Sequence, residues 1–173
     1  LGDVYKRQYV PPHLGIATLY NYLHGKFDWI EFSLVDALAD ALDEEQIVKA
    51  INYSRPDILA ITIKTMQVKQ AKEIIERVKD IYNPLIICGG NHVSVSPQEF
   101  VRCGADYAIV GEGEEAIEKI IQHEFGHYEE SLDDCVNICT KNNVERSGFE
   151  PKVCVHGSDI PAPDWSIFDL TKY

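Results

Sequence analysis

Four times between residues 30 and 125 a short run of strand formers breaks at a polar or glycine-rich loop and gives way to a helical pattern. The runs are Ile30 to Val35 (IEFSLV), Ile58 to Ile63 (ILAITI), Leu85 to Cys88 (LIIC) and Asp106 to Val110 (DYAIV). The helices predicted after them cover Asp43 to Ser54, Met66 to Tyr82, Pro97 to Cys103 and Glu115 to Phe125. In the clearest of these, Val68, Ala71, Ile74, Ile75, Val78 and Ile81 share one face, opposite Lys69, Lys72, Glu73, Glu76 and Lys79. Such alternation confines the chain to an α/β fold, a parallel sheet joined by right-handed crossovers with helices on both faces. Ligands of these sheets bind beyond the carboxyl ends of the strands, so the loops at that edge are where function is sought.

A further helix, His13 to His24, precedes every credible strand. In a Rossmann-like, flavodoxin-type order the strand before it would be interior, between the runs at Ile30 and Ile58, so the sheet is expected to lack its first strand. The gap would cost about 0.5–1.5 kcal/mol net per lost backbone hydrogen bond, unless residues 1–10 fill it. Residues 1–8 (LGDVYKRQ) do not merge with the pattern that follows and read as a non-native leader; the alternative is an irregular strand using Val4, Tyr5, Tyr9 and Val10. Beyond residue 126 the pattern changes. Cys135 to Thr140 and the Asn142-Asn143 turn suggest a hairpin, and the Pro-rich stretch from Asp159 to Tyr173 a linker that docks on something. The expected organisation is a leader (1–8), one domain (9–126), and a hairpin with linker (127–173).

Composition narrows the function. The chain has 173 residues, 16 Lys plus Arg and 28 Asp plus Glu, a net charge of -12 that disfavours nucleic acid and anionic membrane as partners. No run is long and apolar enough for a membrane span. The five cysteines form no framework, which suits a reducing, cytoplasmic compartment. Cys135 and Cys139 alone make a poor metal site.

Four strand-end loops carry the candidate chemistry. Thr62 and Thr65 bracket the end of ILAITI, where hydroxyls either bond a ligand or cap the next helix. Asp36 ends the preceding run, facing a ligand or serving a turn. Gly89-Gly90 removes two successive side chains where the third run leaves the sheet, either for close approach to the backbone or for a tight turn, and a polar turn that opens with Asn91-His92 leads to Pro97. Gly111 to Ala116 (GEGEEA) matches the dinucleotide pattern G-x-G-x-x-A after a strand. Its glutamates oppose that reading, since two unit charges 4 Å apart repel by about 4 kcal/mol at an effective dielectric of ~20. A dinucleotide-binding oxidoreductase is therefore the weakest alternative.

Taken in order, Pro11-Pro12-His13-Leu14-Gly15, Leu34-Val35-Asp36-Ala37, Ile61-Thr62, Gly89-Gly90-Asn91-His92 with Pro97, and Gly111-Glu112-Gly113-Glu114 resemble the cobalamin-binding-type domain at the N-terminus of cobalamin-dependent radical SAM enzymes. The resemblance runs from about Pro11 to Phe125, and the IPAPDW segment resembles the connector to the radical SAM barrel. It implies a domain that holds cobalamin at its carboxyl edge, lined by Pro12, His13, Leu14, Gly15, Thr62, Thr65, Gly89, Gly90, Asn91, His92, Gly111, Glu112, Gly113 and Glu114, with the double glycine making room for the nucleotide tail. The barrel in cis would bring the 4Fe-4S cluster and S-adenosylmethionine for methyl transfer or related radical chemistry. The chain has no Cys-x-x-x-Cys-x-x-Cys set, so it is not expected to be catalytic alone. It also lacks the Asp-x-His-x-x-Gly motif of axial histidine ligation, because His13 stands two residues before Gly15. The same fold could instead serve only as a docking module for the barrel.

Overall fold

The computed structural model describes residues 11–126, 130–151 and 160–173. The expectations for residues 1–8, for Cys154 and for parts of the hairpin and linker lie outside these residues. Three short strands form the parallel part of the sheet: β1 (Ile58–Thr62), β2 (Leu85–Gly89) and β3 (Tyr107–Ile109), and β4 (Ile138–Thr140) adds antiparallel to β3, giving the order β1-β2-β3-β4. Register pairs Ile58 with Leu85, Thr62 with Gly89 and Cys88 with Ala108.

Six helices surround the sheet among the described residues: α1 (Leu14–His24), α2 (Glu44–Ser54), α3 (Val68–Ile81), α4 (Asn91–Val95), α5 (Pro97–Arg102) and α6 (Glu114–Phe125). Local chemistry explains their starts. Asp43 accepts from the Gln46 N–H while the Gln46 side chain accepts from the Asp43 N–H, a reciprocal cap for α2. Pro97 opens α5, where its missing N–H costs nothing. No described helix is long and apolar enough to cross a membrane.

Strand alternation sorts the core into two layers. Leu59, Ile61, Ile86, Cys88, Ala108 and Cys139 face α2, α3 and α5, while Ile58, Ile87, Tyr107, Ile109 and Ile138 face α1 and α6. The architecture is thus a mostly parallel, Rossmann/flavodoxin-like sheet with helices on both faces.

Two expectations are corrected. Residues 30–35 form no strand, although Ile30 and Phe32 pack on the α1/α6 layer. A strand needs a neighbour to bond, and among the described residues none lies beside this segment. Residues 91–95, read as a polar turn, make the short helix α4. Of the expected hairpin, the described residues give β4, bonded antiparallel to β3, the Asn142-Asn143 turn, and one bond from the Glu150 N–H back to the Val136 carbonyl (2.9 Å).

The closing segment docks on the domain itself. The Asp164 N–H bonds the Ala17 carbonyl (3.1 Å), Asn21 donates to the Ala162 carbonyl (2.7 Å), Phe168 is buried, and the Tyr173 hydroxyl donates to Asp36.

Candidate functional site

The strand ends Thr62, Gly89 and Ile109 lie at one edge of the sheet, and the loops that leave them are tied into a row. The Ile63 N–H donates to the Gly89 carbonyl (2.8 Å) and the His92 N–H to the Ile63 carbonyl (3.2 Å), so the β1 and β2 loops share backbone bonds. Ser94 accepts from the Gly111 N–H (3.0 Å) and donates to the Gly90 carbonyl (3.1 Å), which joins the β2 and β3 loops. His13, at the start of α1, is within electrostatic reach of Lys64, just beyond β1, and of Asp36.

The double glycine divides into two roles. A Cβ on Gly90 would stand 2.8 Å from the Ile63 nitrogen and 2.9 Å from the Thr62 hydroxyl oxygen, and its φ of +104° is the left-handed region. The close approach of the residues that end and follow β1 is by itself reason for a glycine at 90, the tight-turn alternative of the two. Gly89 is the open position, for a Cβ there meets nothing within 4 Å. The space lies on the α1/α6 side of the sheet, the side to which Ile87 points.

Thr65 does not cap α3, which has no side-chain cap. Its hydroxyl lies 3.3 Å from His92 Nδ1, while His92 Nε2 lies 3.3 Å from Glu99 Oε2. Asp36 serves its turn, accepting from the Leu38 and Ala39 N–H groups (3.1 and 3.0 Å).

Two polar atoms at this edge are buried without a partner among the described residues, His13 Nδ1 and Glu114 Oε2. Burial, helped by the Lys64 ammonium, holds the His13 imidazole below its ordinary range, against the opposing pull of Asp36. Glu114, in the first turn of α6, has its carboxylate near the positive end of that helix. Asn91 and Glu112 are exposed, and Pro12 and Gly113 are half-buried.

Large apolar side chains are exposed around the row: Leu14 at 59%, Met66 at 91% and Val95 at 83%. Leu14 opens α1, Met66 lies in the turn between β1 and α3, and Val95 ends α4. Sequence reasoning missed Met66, Val95, Ser94 and Lys64; an apolar residue inside a polar strand-end loop was the available signal for the first two. Among the described residues no group of three or more His, Cys, Asp or Glu could hold a metal ion, and Cys135 and Cys139 are free.

Comparison with known proteins gives the following similarities. The family model described as B12 binding domain matches residues 2–121. An uncharacterised methyltransferase of Pyrococcus horikoshii is 28% identical over 166 residues, covering 94% of this chain and 35% of that protein. Two anaerobic magnesium-protoporphyrin IX monomethyl ester cyclases are similar: that of Rubrivivax gelatinosus is 27% identical, covering 94% of this chain and 30% of its own length, and that of Cereibacter sphaeroides 22%, covering 86% and 25%. The chain thus spans a quarter to about a third of these relatives. The N-terminal domain of a hypothetical protein of Thermotoga maritima has a TM-score of 0.48 to this chain at 21% identity, covering 69% of this chain and 96% of that one.

Proposed function

The chain belongs to the B12-binding domain family, and from that premise we propose that it holds cobalamin against the carboxyl edge of its sheet as one part of a larger enzyme. The observation that carries this is the combination at one edge of an open glycine, exposed apolar side chains and two orphaned buried polar atoms. Cobalamin has a broad apolar macrocycle fringed by carboxamides, and a nucleotide tail. Leu14, Met66 and Val95 offer apolar contact to such a ring. Thr62, Thr65, Asn91, His92 and His13 Nδ1 offer hydrogen bonds to its fringe. Glu112 and Glu114 suit amide N–H donors and repel phosphate, so the tail belongs on the Gly89 side, away from the Gly111–Glu114 loop. Pro12 and Gly15 shape the start of α1 beside them.

When bound, cobalamin supplies carriage of a methyl group or radical, and this chain's residues bind it, orient it and limit water. In this reading the barrel that follows in cis contributes the 4Fe-4S cluster and S-adenosylmethionine. Relatives named as a methyltransferase and as cyclases of a large tetrapyrrole ester support a parent enzyme of this kind. The acidic Gly111–Glu114 loop argues against the dinucleotide alternative.

The test is a hydroxocobalamin titration of the 173-residue chain followed by its visible spectrum, beside a Gly89→Leu variant. Saturable binding with a shifted spectrum is expected, weakened at least about tenfold (~1.4 kcal/mol) in the variant. No binding would overturn the reading in favour of a docking module, and binding untouched by Gly89→Leu would move the tail elsewhere.

A further inference from the structure

Lys72 on α3 and Glu99 on α5 lie behind the row of loops, and the reading above gives them no part. Lys72 Nζ is 2.5 Å from Glu99 Oε1, and the other carboxylate oxygen, Oε2, reaches His92 Nε2. This ion pair already joins the two helices, so a structural tie has no need of an imidazole. What the imidazole adds is a lone pair at the carboxyl edge.

We propose that Glu99, salt-bridged to Lys72, is a positioning residue that fixes His92 in the tautomer with its proton on Nε2, so that Nδ1 stands beside the Thr65 hydroxyl as an acceptor for a hydrogen-bond donor of the ligand. The proposal rests on the ligand-holding reading of this edge.

The geometry leaves little choice of tautomer. The Lys72 bond keeps the Glu99 carboxyl below the usual carboxylate range despite partial burial, so Glu99 can only accept. A neutral imidazole carries one N–H, and the contact to Glu99 claims it for Nε2. The Nδ1 lone pair then faces the Thr65 hydroxyl at 3.3 Å, a long contact that a better-placed donor can displace. The residue is also held in place: its backbone N–H bonds the Ile63 carbonyl, and its ring lies edge-on to the fully buried Phe100 ring at 6.0 Å between centroids. Its side chain keeps 21% exposure and Thr65 is exposed, so the acceptor remains reachable. The arrangement follows the general pattern in which a carboxylate behind a histidine sets what its front nitrogen does.

Two measurements test this. In a histidine-labelled sample without cofactor, long-range 1H–15N correlation spectra should show the Nε2–H form for His92, and a mixture of tautomers in Glu99→Gln. In hydroxocobalamin titrations, Kd should rise about tenfold in His92→Ala and several-fold in Glu99→Gln, as for loss of one or part of one hydrogen bond. The double variant should bind no worse than His92→Ala. An Nδ1–H form in the wild type overturns the proposal, as does a shifted tautomer in Glu99→Gln with unchanged Kd. A wild-type chain that binds no hydroxocobalamin overturns the ligand reading itself, while the tautomer spectrum, which needs no cofactor, judges Glu99 separately.

Discussion

Helices α4 and α6 each begin on a glycine that follows a parallel strand, yet Gly90 and Gly113 are glycines for different physical reasons. Gly90 has φ +104° and lies against the Ile63 backbone, whereas Gly113 has φ -93° and ψ -20°, where any residue is at ease. A methyl on Gly113 would meet only Ile117 Cδ1 at 3.8 Å, ordinary contact. The β2 loop is therefore locked by the strand beside it, while the start of the β3 loop is tied by the Gly111 N–H to Ser94 and the Val110 N–H to the Asn137 carbonyl (2.9 Å), bonds that do not involve Gly113. A site built across both has a rigid half and an adjustable half, and the candidate ligand groups divide accordingly: His92 on the first, Glu112 and Glu114 on the second.

The sharpest way to break this contrast is Gly90→Ala. Left-handed strain and the clash with Ile63 together should cost about 2–4 kcal/mol, lowering Tm by about 5–15 °C. Gly89→Ala, one residue earlier in open space, should stay within about 0.5 kcal/mol of the wild type. Urea and thermal unfolding of both variants decide the matter. Equal losses would mean that β2 as a whole, and not the Gly90 contact, sets the rigidity.

The difference between the two glycines was invisible in the sequence, where GlyGly and GlyGluGly both read as glycine after a strand. It depends on β1 and β2 pairing Thr62 with Gly89, a register that brings together residues 27 positions apart. What repeats locally was legible: the helical stripe of α3 and the apolar runs of β1 to β3 follow from spacing and residue type alone. What depends on a neighbour was not. Residues 30–35 have strand-forming side chains and no described strand to bond. Thr65, open in the sequence between a cap and a ligand group, caps nothing and lies beside His92. Candidate residues at the edge could be chosen by topology, because α/β loops gather at strand ends, but Ser94, Lys72 and Glu99 act through contacts that no single segment displays.

Ser94→Ala tests the seam between the halves. It removes the acceptor of the Gly111 N–H and the donor to Gly90 while leaving Gly90's own contact with Ile63 in place. The bond from Gly111 is partly open to water, so the expected loss is about 1 kcal/mol, smaller than that of Gly90→Ala. Amide exchange should locate it: faster exchange is expected at Gly111 and the first turn of α6, with the Ile63 and His92 amides unchanged. Acceleration spreading to Ile63 would show that the locked half depends on Ser94 as well.

The smallest effect has the opposite sign. At Gly113 the backbone already sits where an alanine is unstrained, and α6 has no side-chain cap to lose. Gly113→Ala restricts the unfolded chain more than the folded one, so it should leave stability unchanged or raise it by up to about 1 kcal/mol. The midpoint of urea unfolding measures this directly, with an unchanged slope showing that the folded state is the same. Since both glycines start a helix just past a strand, opposite signs at Gly90 and Gly113 would assign the difference to the packing of β1 against one loop. A loss at Gly113 comparable to that at Gly90 would instead mean that the β3 loop carries a constraint of its own, and that the adjustable half of the site is as fixed as the other.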